Sequence, residues 1–190
     1  MGSNRPARKI GPSTRKPGTV ASRDPLDEEL VQVYLRPGEF HFARSPAHVA
    51  TVLGSCVSIT MYCRRLGAGA ICHAILPKGS SEEGNEAFCY VDSAIRRMAG
   101  WFDRLGIRRS EIEVKFFGGA DVLKQTPRGA SVVTVGLSNI QMAMKTIEEE
   151  NLRLLVSDVG GTMGRKLYFS TRTGDVLVKR LRRMPEGATP

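Results

Sequence analysis

Short apolar runs rich in β-branched residues, broken at close intervals by glycine, proline and serine, fill the chain from Val31 to Leu181. That texture restricts the fold more than any other feature, because such runs are too short for globular helices and read as strands joined by turns. Val31 to Leu35 and Glu39 to Ala43 flank Pro37-Gly38, the pattern of a hairpin. Val49 to Leu53 and Cys56 to Tyr62 are predicted as neighbouring central strands with Gly54-Ser55 as a kink or bulge between them. Gly69 to Leu76 follows as a strand ending at Pro77, and Lys78 to Glu86 as a polar surface loop. Glu111 to Phe117, Leu152 to Val156, Leu167 to Thr171 and Val176 to Leu181 complete the strands, the last two joined as a hairpin through Thr173-Gly174.

Two stretches keep a helical period instead. Val91, Ala94, Ile95, Met98, Trp101, Phe102 and Leu105 recur at three- and four-residue spacing, and Gly106 is a natural C-cap. Ser138-Asn139-Ile140-Gln141 has the capping-box pattern, with Ile140, Ala143, Met144 and Ile147 on one face behind it. Many strands with hairpins and two helices predict an α/β fold: a single-domain α/β sandwich with a largely antiparallel mixed sheet and about two covering helices.

The formal charge is +9, and the ends hold most of it. Met1 to Asp24 carries +5 and Lys179 to Pro190 carries +3, leaving almost none for the body of the chain, which argues against a fold built to read nucleic acid. Residues 1–26 lack a hydrophobic period and read as a flexible basic arm, 27–183 as the folded domain and 184–190 as a tail. No run approaches the roughly 20 apolar residues that span a bilayer, and no apolar stretch follows the basic start as in a secretory signal. A soluble cytoplasmic protein with reduced Cys56, Cys63, Cys72 and Cys89 is the expectation.

Acyl-transfer chemistry needs a nucleophile, a base and backbone donors for an oxyanion. Thr51-Val52-Leu53-Gly54-Ser55-Cys56 supplies a thiol beside a glycine that lets the backbone turn tightly, so the amides around Gly54, Ser55 and Cys56 are candidate oxyanion donors. His73 lies on the next predicted strand, where it can stand beside Cys56; if protonated there it would lower the thiol's pKa. Thr51 can hold the ring nitrogen turned away from sulfur. Cys63, Cys72 and Cys89 read as small core residues, and His41 and His48 as structural or exposed. A zinc site from Cys56, Cys63, Cys72 and His73 fits by residue type but lacks the usual ligand spacing, so no metal is expected. Gly118-Gly119-Ala120 and Gly160-Gly161-Thr162-Met163-Gly164 follow strands without a nucleotide fingerprint and read as turns packed near a site, with Asp121 and Asp158 as their caps.

Leu53-Gly54-Ser55-Cys56-Val57 followed by His73-Ala74-Ile75-Leu76-Pro77 resembles the signature of the chemoreceptor glutamine deamidase (CheD) family. Phe116-Phe117-Gly118-Gly119-Ala120 and the run from Asp158 to Leu167 are similar to its later motifs, in the expected order. The resemblance implies a cofactor-free cysteine hydrolase that converts glutamine side chains of methyl-accepting chemotaxis receptors to glutamate and releases ammonia. It implies Cys56 as nucleophile, His73 as base and acid and Thr51 as the residue orienting His73. Receptors are the implied partners, with a CheC-type phosphatase for some members, peripheral proximity to the membrane through the receptors and no specific nucleic acid. The alternative is a non-catalytic chemotaxis adaptor binding the same partners.

Overall fold

A computed structural model describes residues 30–79, 85–122 and 133–181. Among the described residues, nine strands form two sheets. In chain order they are β1 (Val31–Tyr34), β2 (Phe40–Ala43), β3 (Ala47–Leu53), β4 (Val57–Cys63), β5 (Ala68–Cys72), then helix α1 (Val91–Arg104), β6 (Glu113–Gly118), helix α2 (Val135–Glu149), β7 (Arg153–Val159), β8 (Arg165–Ser170) and β9 (Val176–Arg180). One sheet runs β1-β3-β8-β9 and the other β2-β5-β4-β6-β7. Only β1 with β3 and β6 with β7 pair in parallel; the other pairs are antiparallel. This is the α/β sandwich with a mixed, largely antiparallel strand arrangement that the sequence predicts, divided between two sheets. The arm at 1–26, the tail at 184–190 and most of the polar loop at 78–86 lie outside the described residues.

The layers follow from side-chain alternation. On β4 and β5, Val57, Ile59, Met61, Cys63, Ala68, Ala70 and Cys72 point to one side and pack with Ala94, Ile95, Met98 and Phe102 of α1 and Ala143 and Ile147 of α2. The opposite face of the sheet meets the four-stranded sheet, Ile71 of β5 against Leu35, Val49 and Phe169, and Phe117 of β6 against Leu53 and Leu167. Strands covered on both faces need apolar or satisfied residues throughout, and every residue of β4 and β5 is buried. A Cβ at Gly69 would come 3.2 Å from both Phe169 and Thr171, so glycine there lets the two sheets approach.

Helix α1 has the predicted bounds and buried stripe, and Gly106 beyond it has φ +70, the left-handed conformation of a helix C-cap. β8 and β9 form the predicted hairpin, with Gly174 at φ +77 against the Tyr62 ring.

Three expectations are corrected. Pro37-Gly38 does make a turn, Glu39 N–H donating to Arg36 O at 3.0 Å, but its arms part rather than pair. Leu35 N–H donates to Ala50 O in the four-stranded sheet, whereas Gly38 N–H donates to His73 O and His73 N–H to Glu39 O in the five-stranded one. Likewise Gly54-Ser55 is a crossover, carrying the chain from β3 in one sheet to β4 in the other, not a bulge between neighbours. Local turn chemistry signals a change of direction and is silent about the partner of each arm. Helix α2 starts three residues before the predicted Ser138 cap: the Thr134 hydroxyl accepts from Leu137 N–H at 3.2 Å, and Gly136, a poor helix former, sits in the first turn because a Cβ there would come 2.6 Å from Gly119 O.

Candidate active site

The two crossovers, 35–39 and 53–57, lie side by side and bracket the end of β5. Val57 and Ala74 form an antiparallel bridge, Val57 N–H to Ala74 O at 3.0 Å and Ala74 N–H to Val57 O at 2.9 Å. In such a bridge the flanking residues project to the opposite face, so Cys56 and His73 share the face turned to the four-stranded sheet, as diagonal neighbours. Cys56 packs there against Leu53, Phe117 and Leu167 and is half-buried, while His73 is 2% exposed. Thr51 comes from the other layer, on the inner face of β3 between Val49 and Leu53. Thr51, Cys56 and His73 therefore meet the same inter-sheet space.

Hydrogen bonding sets the imidazole's state. Thr51 Oγ1 donates its single proton to Leu35 O at 2.9 Å and lies 2.7 Å from His73 Nδ1. With that proton committed, the hydroxyl can only accept from the ring, so Nδ1 carries hydrogen and Nε2 keeps its lone pair. Nε2 is buried and has no hydrogen-bond partner among the described residues, the thiol of Cys56 included.

Electrostatics corrects one expectation. Burial holds His73 down to about 4, with the Leu35 carbonyl and Glu39 acting weakly the other way. Burial also pushes the Cys56 thiol up, opposed by the Cys56 backbone N–H that faces it. Near neutrality the surroundings thus favour a neutral imidazole beside a neutral thiol, not the thiolate beside imidazolium that the residue types suggest.

The Cys56 loop is pinned carbonyl by carbonyl. Ala120 N–H donates to Gly54 O, Gly119 N–H to Cys56 O, both at 2.9 Å, and the Asn139 side chain to Ser55 O at 3.0 Å. Gly118, at φ +111, is required: a Cβ would sit 2.3 Å from Cys56 O. The Gly118-Gly119-Ala120 turn is thus the site packing expected of it. The Gly160 turn is held by Arg165, 1% exposed, whose guanidinium donates to Asp158 at 3.0 Å and Gly160 O at 2.8 Å. Asp158 accepts also from Arg180 at 2.7 Å, and Gly160 N–H donates to Gly118 O at 2.8 Å, which links this network to the turn beside Cys56.

Cys63 and Cys72 point into the helix-side core, away from Cys56 and His73, so the four do not converge as zinc ligands would. Sequence reading missed Arg165 and treated Asn139 only as part of a helix cap. An arginine in the alternating strand Arg165–Ser170 at a position matching Leu167 and Phe169 was the available signal for the first.

By class, then, the protein is an α/β sandwich with a cysteine-centred polar site between its sheets. The CheD family model, described as CheD chemotactic sensory transduction, matches residues 75–180. A probable chemoreceptor glutamine deamidase CheD 2 of Geobacter sulfurreducens is 50% identical over 155 residues, covering 82% of this chain and 93% of that protein. A probable chemoreceptor glutamine deamidase CheD of Maridesulfovibrio salexigens is 40% identical over 159 residues, covering 80% and 94% respectively. The chain belongs to the CheD family. Among solved structures, YlmD from Geobacillus stearothermophilus aligns over 70% of this chain and 60% of its own at 16% identity, with a TM-score of 0.46.

Proposed function

We propose that this protein hydrolyses glutamine side chains of methyl-accepting chemotaxis receptors to glutamate, with Cys56 as nucleophile, His73 as base and acid, and Thr51 holding His73. The observation that carries the reading is the direction of the Thr51 hydrogen bonds: donating to Leu35 O and accepting from His73 Nδ1–H leaves the Nε2 lone pair on the face that Cys56 shares. The relatives' names supply the substrate class.

The chemistry follows from a neutral pair. As Sγ bonds to the carboxamide carbon, its proton passes to His73 Nε2, and the carbonyl oxygen becomes an oxyanion facing the amides near Ser55 and Cys56. The imidazolium so formed, stabilised through Nδ1–H by the Thr51 hydroxyl, returns the proton to the leaving nitrogen, and ammonia departs. Nε2 then takes a proton from water, whose oxygen attacks the thioester; the glutamate carboxylate is released and Cys56 regains its proton. Every step uses this chain's own side chains and water.

Within the same proposal, residues 27–183 form the catalytic domain and the reaction takes place in the cytoplasm. The basic arm at 1–26 favours the acidic surroundings of receptor helices, and a CheC-type phosphatase is a second partner. Mass spectrometry of receptor cytoplasmic fragments after incubation with wild type, Cys56→Ala, His73→Ala and Thr51→Ala tests the reading. Conversion at defined glutamines by wild type alone, with Thr51→Ala intermediate, is the expected result. Equal conversion by Cys56→Ala removes the assignment, and binding without conversion by the wild type leaves the protein an adaptor.

A further inference from the structure

Asn139 is completely buried at the head of a set, Asn139, Ala143 and Thr146, that α2 turns inward. Its Nδ2 donates to two main-chain carbonyls, Ser55 O at 3.0 Å and Ile75 O at 2.8 Å. Both partners are acceptors, so the orientation of the amide is settled: the two hydrogens are spent, and Oδ1 is left buried with no partner among the described residues. A buried amide with an orphaned acceptor is costly, and a core position gains nothing from it. What it secures is specific. One carbonyl immediately precedes the Cys56 nitrogen; the other lies two residues beyond His73.

Peptide planarity turns that contact into an aim. In a trans peptide the C=O and N–H point in opposite directions, so fixing Ser55 O toward α2 fixes the Cys56 N–H away from it. Away from α2 lies the side turned to the four-stranded sheet, where Cys56 packs against Leu53, Phe117 and Leu167. The neighbouring carbonyls, Gly54 O and Cys56 O, are already held by Ala120 and Gly119, so the Ser55–Cys56 peptide is the one plane of this turn that a side chain, not the backbone, locks. The lock itself is rigid. A Cβ at Gly119 would meet Ile140 at 2.6 Å and one at Gly136 would meet Gly119 O at the same distance, so the first turns of α2 are seated directly on the loop.

We infer that Asn139 is a positioning residue that aims the Cys56 backbone N–H at the developing oxyanion. The inference rests on the deamidase reading and deepens it. An unlocked peptide plane can rotate, and a donor that must be reoriented as charge develops forfeits its advantage in the transition state while leaving substrate binding untouched.

The test uses the full chain with a receptor fragment as substrate, measuring kcat and KM, alongside the alkylation rate of Cys56 by iodoacetamide read by mass spectrometry. Alkylation needs the thiol and its base but no oxyanion donor. Asn139→Ala should lower kcat by about 100-fold, the scale of losing one oxyanion donor, with KM and Cys56 alkylation unchanged. Asn139→Asp keeps the volume and loses the paired donors; it should show the same split and serves where the alanine variant melts early. Unchanged kcat in a folded variant overturns the inference while leaving the deamidase reading intact. So does a parallel fall of kcat and alkylation, which marks general collapse of the site. A wild type that alkylates normally yet deamidates nothing fails the deamidase reading itself, and the oxyanion role falls with it.

Discussion

The two faces of the five-stranded sheet are packed to opposite ends. Toward the helices, β4 and β5 present an unbroken apolar layer from Val57 to Cys63 and from Ala68 to Ala74, closed by Met98, Phe102 and Ile147. Toward the second sheet the apolar contacts divide into two small groups, Leu35, Val49, Ile71 and Phe169 in one, Leu53, Phe117 and Leu167 in the other. Between them lie Thr51 and His73, with Cys56 at the margin. A site made of desolvated polar groups weakens the layer that contains it, so the stability must come from the other face. The cysteines repeat the contrast. Cys72, in the helix-side layer, is pushed up to about 12 by burial and is chemically inert, whereas Cys56 is half-exposed with its own N–H facing the sulfur.

The sharpest way to break this comparison is to exchange thiols for methyl groups. Cys56→Ala should abolish ammonia release with the melting temperature preserved, and Cys72→Ala should keep turnover; an active Cys56→Ala protein would void the distinction. Next is Phe102→Ala, which removes a fully buried ring from the helix-side layer and should cost about 3–5 kcal/mol in denaturant unfolding. The remaining folded fraction should turn over at the normal rate.

Thr51→Val keeps shape and removes the hydroxyl between Leu35 O and His73 Nδ1. It should lower kcat by about 10²-fold, the lower range for general acid–base assistance, with a stability loss of about 1–3 kcal/mol for the unpaired groups.

Acid reads the same layer by titration. The proposed mechanism needs neutral His73, so kcat/KM should fall as pH drops through about 4, not through the ordinary histidine range. Because the folded-state value lies below the unfolded 6.5, the unfolded chain takes the proton first. Stability from this group is complete above 6.5 and is lost between there and about 4. That loss amounts to about 3 kcal/mol, and His73→Gln should remove this slope from a urea series run across pH. The smallest effect belongs to neither layer: Arg65→Ala breaks a surface pair with Glu111 and should leave turnover unaltered and the melting temperature nearly so.

Much of this was legible locally. The α1 stripe, its Gly106 cap, the β8–β9 hairpin and the Thr51, Cys56 and His73 set all rest on periodicity, turn chemistry or motif, which neighbouring residues encode. Asn139 was not legible for what it does, because its pattern suited a helix start and its partners, Ser55 and Ile75, lie far away in the chain. Arg165 was hidden for a similar reason, since its justification is a carboxylate and carbonyls gathered from other segments.

By itself the sequence determined that this chain makes strands and two helices around one core, and it singled out the Cys56 thiol, the His73 imidazole and the Thr51 hydroxyl as candidates. Tertiary structure alone decided that the turns at Pro37-Gly38 and Gly54-Ser55 pass between sheets, that α2 reaches over to hold Ser55, and that thiol and imidazole rest neutral. Strand partners and protonation states depend on what surrounds a residue in space, and burial, the term that moves both His73 and Cys56, exists only once the layers have closed.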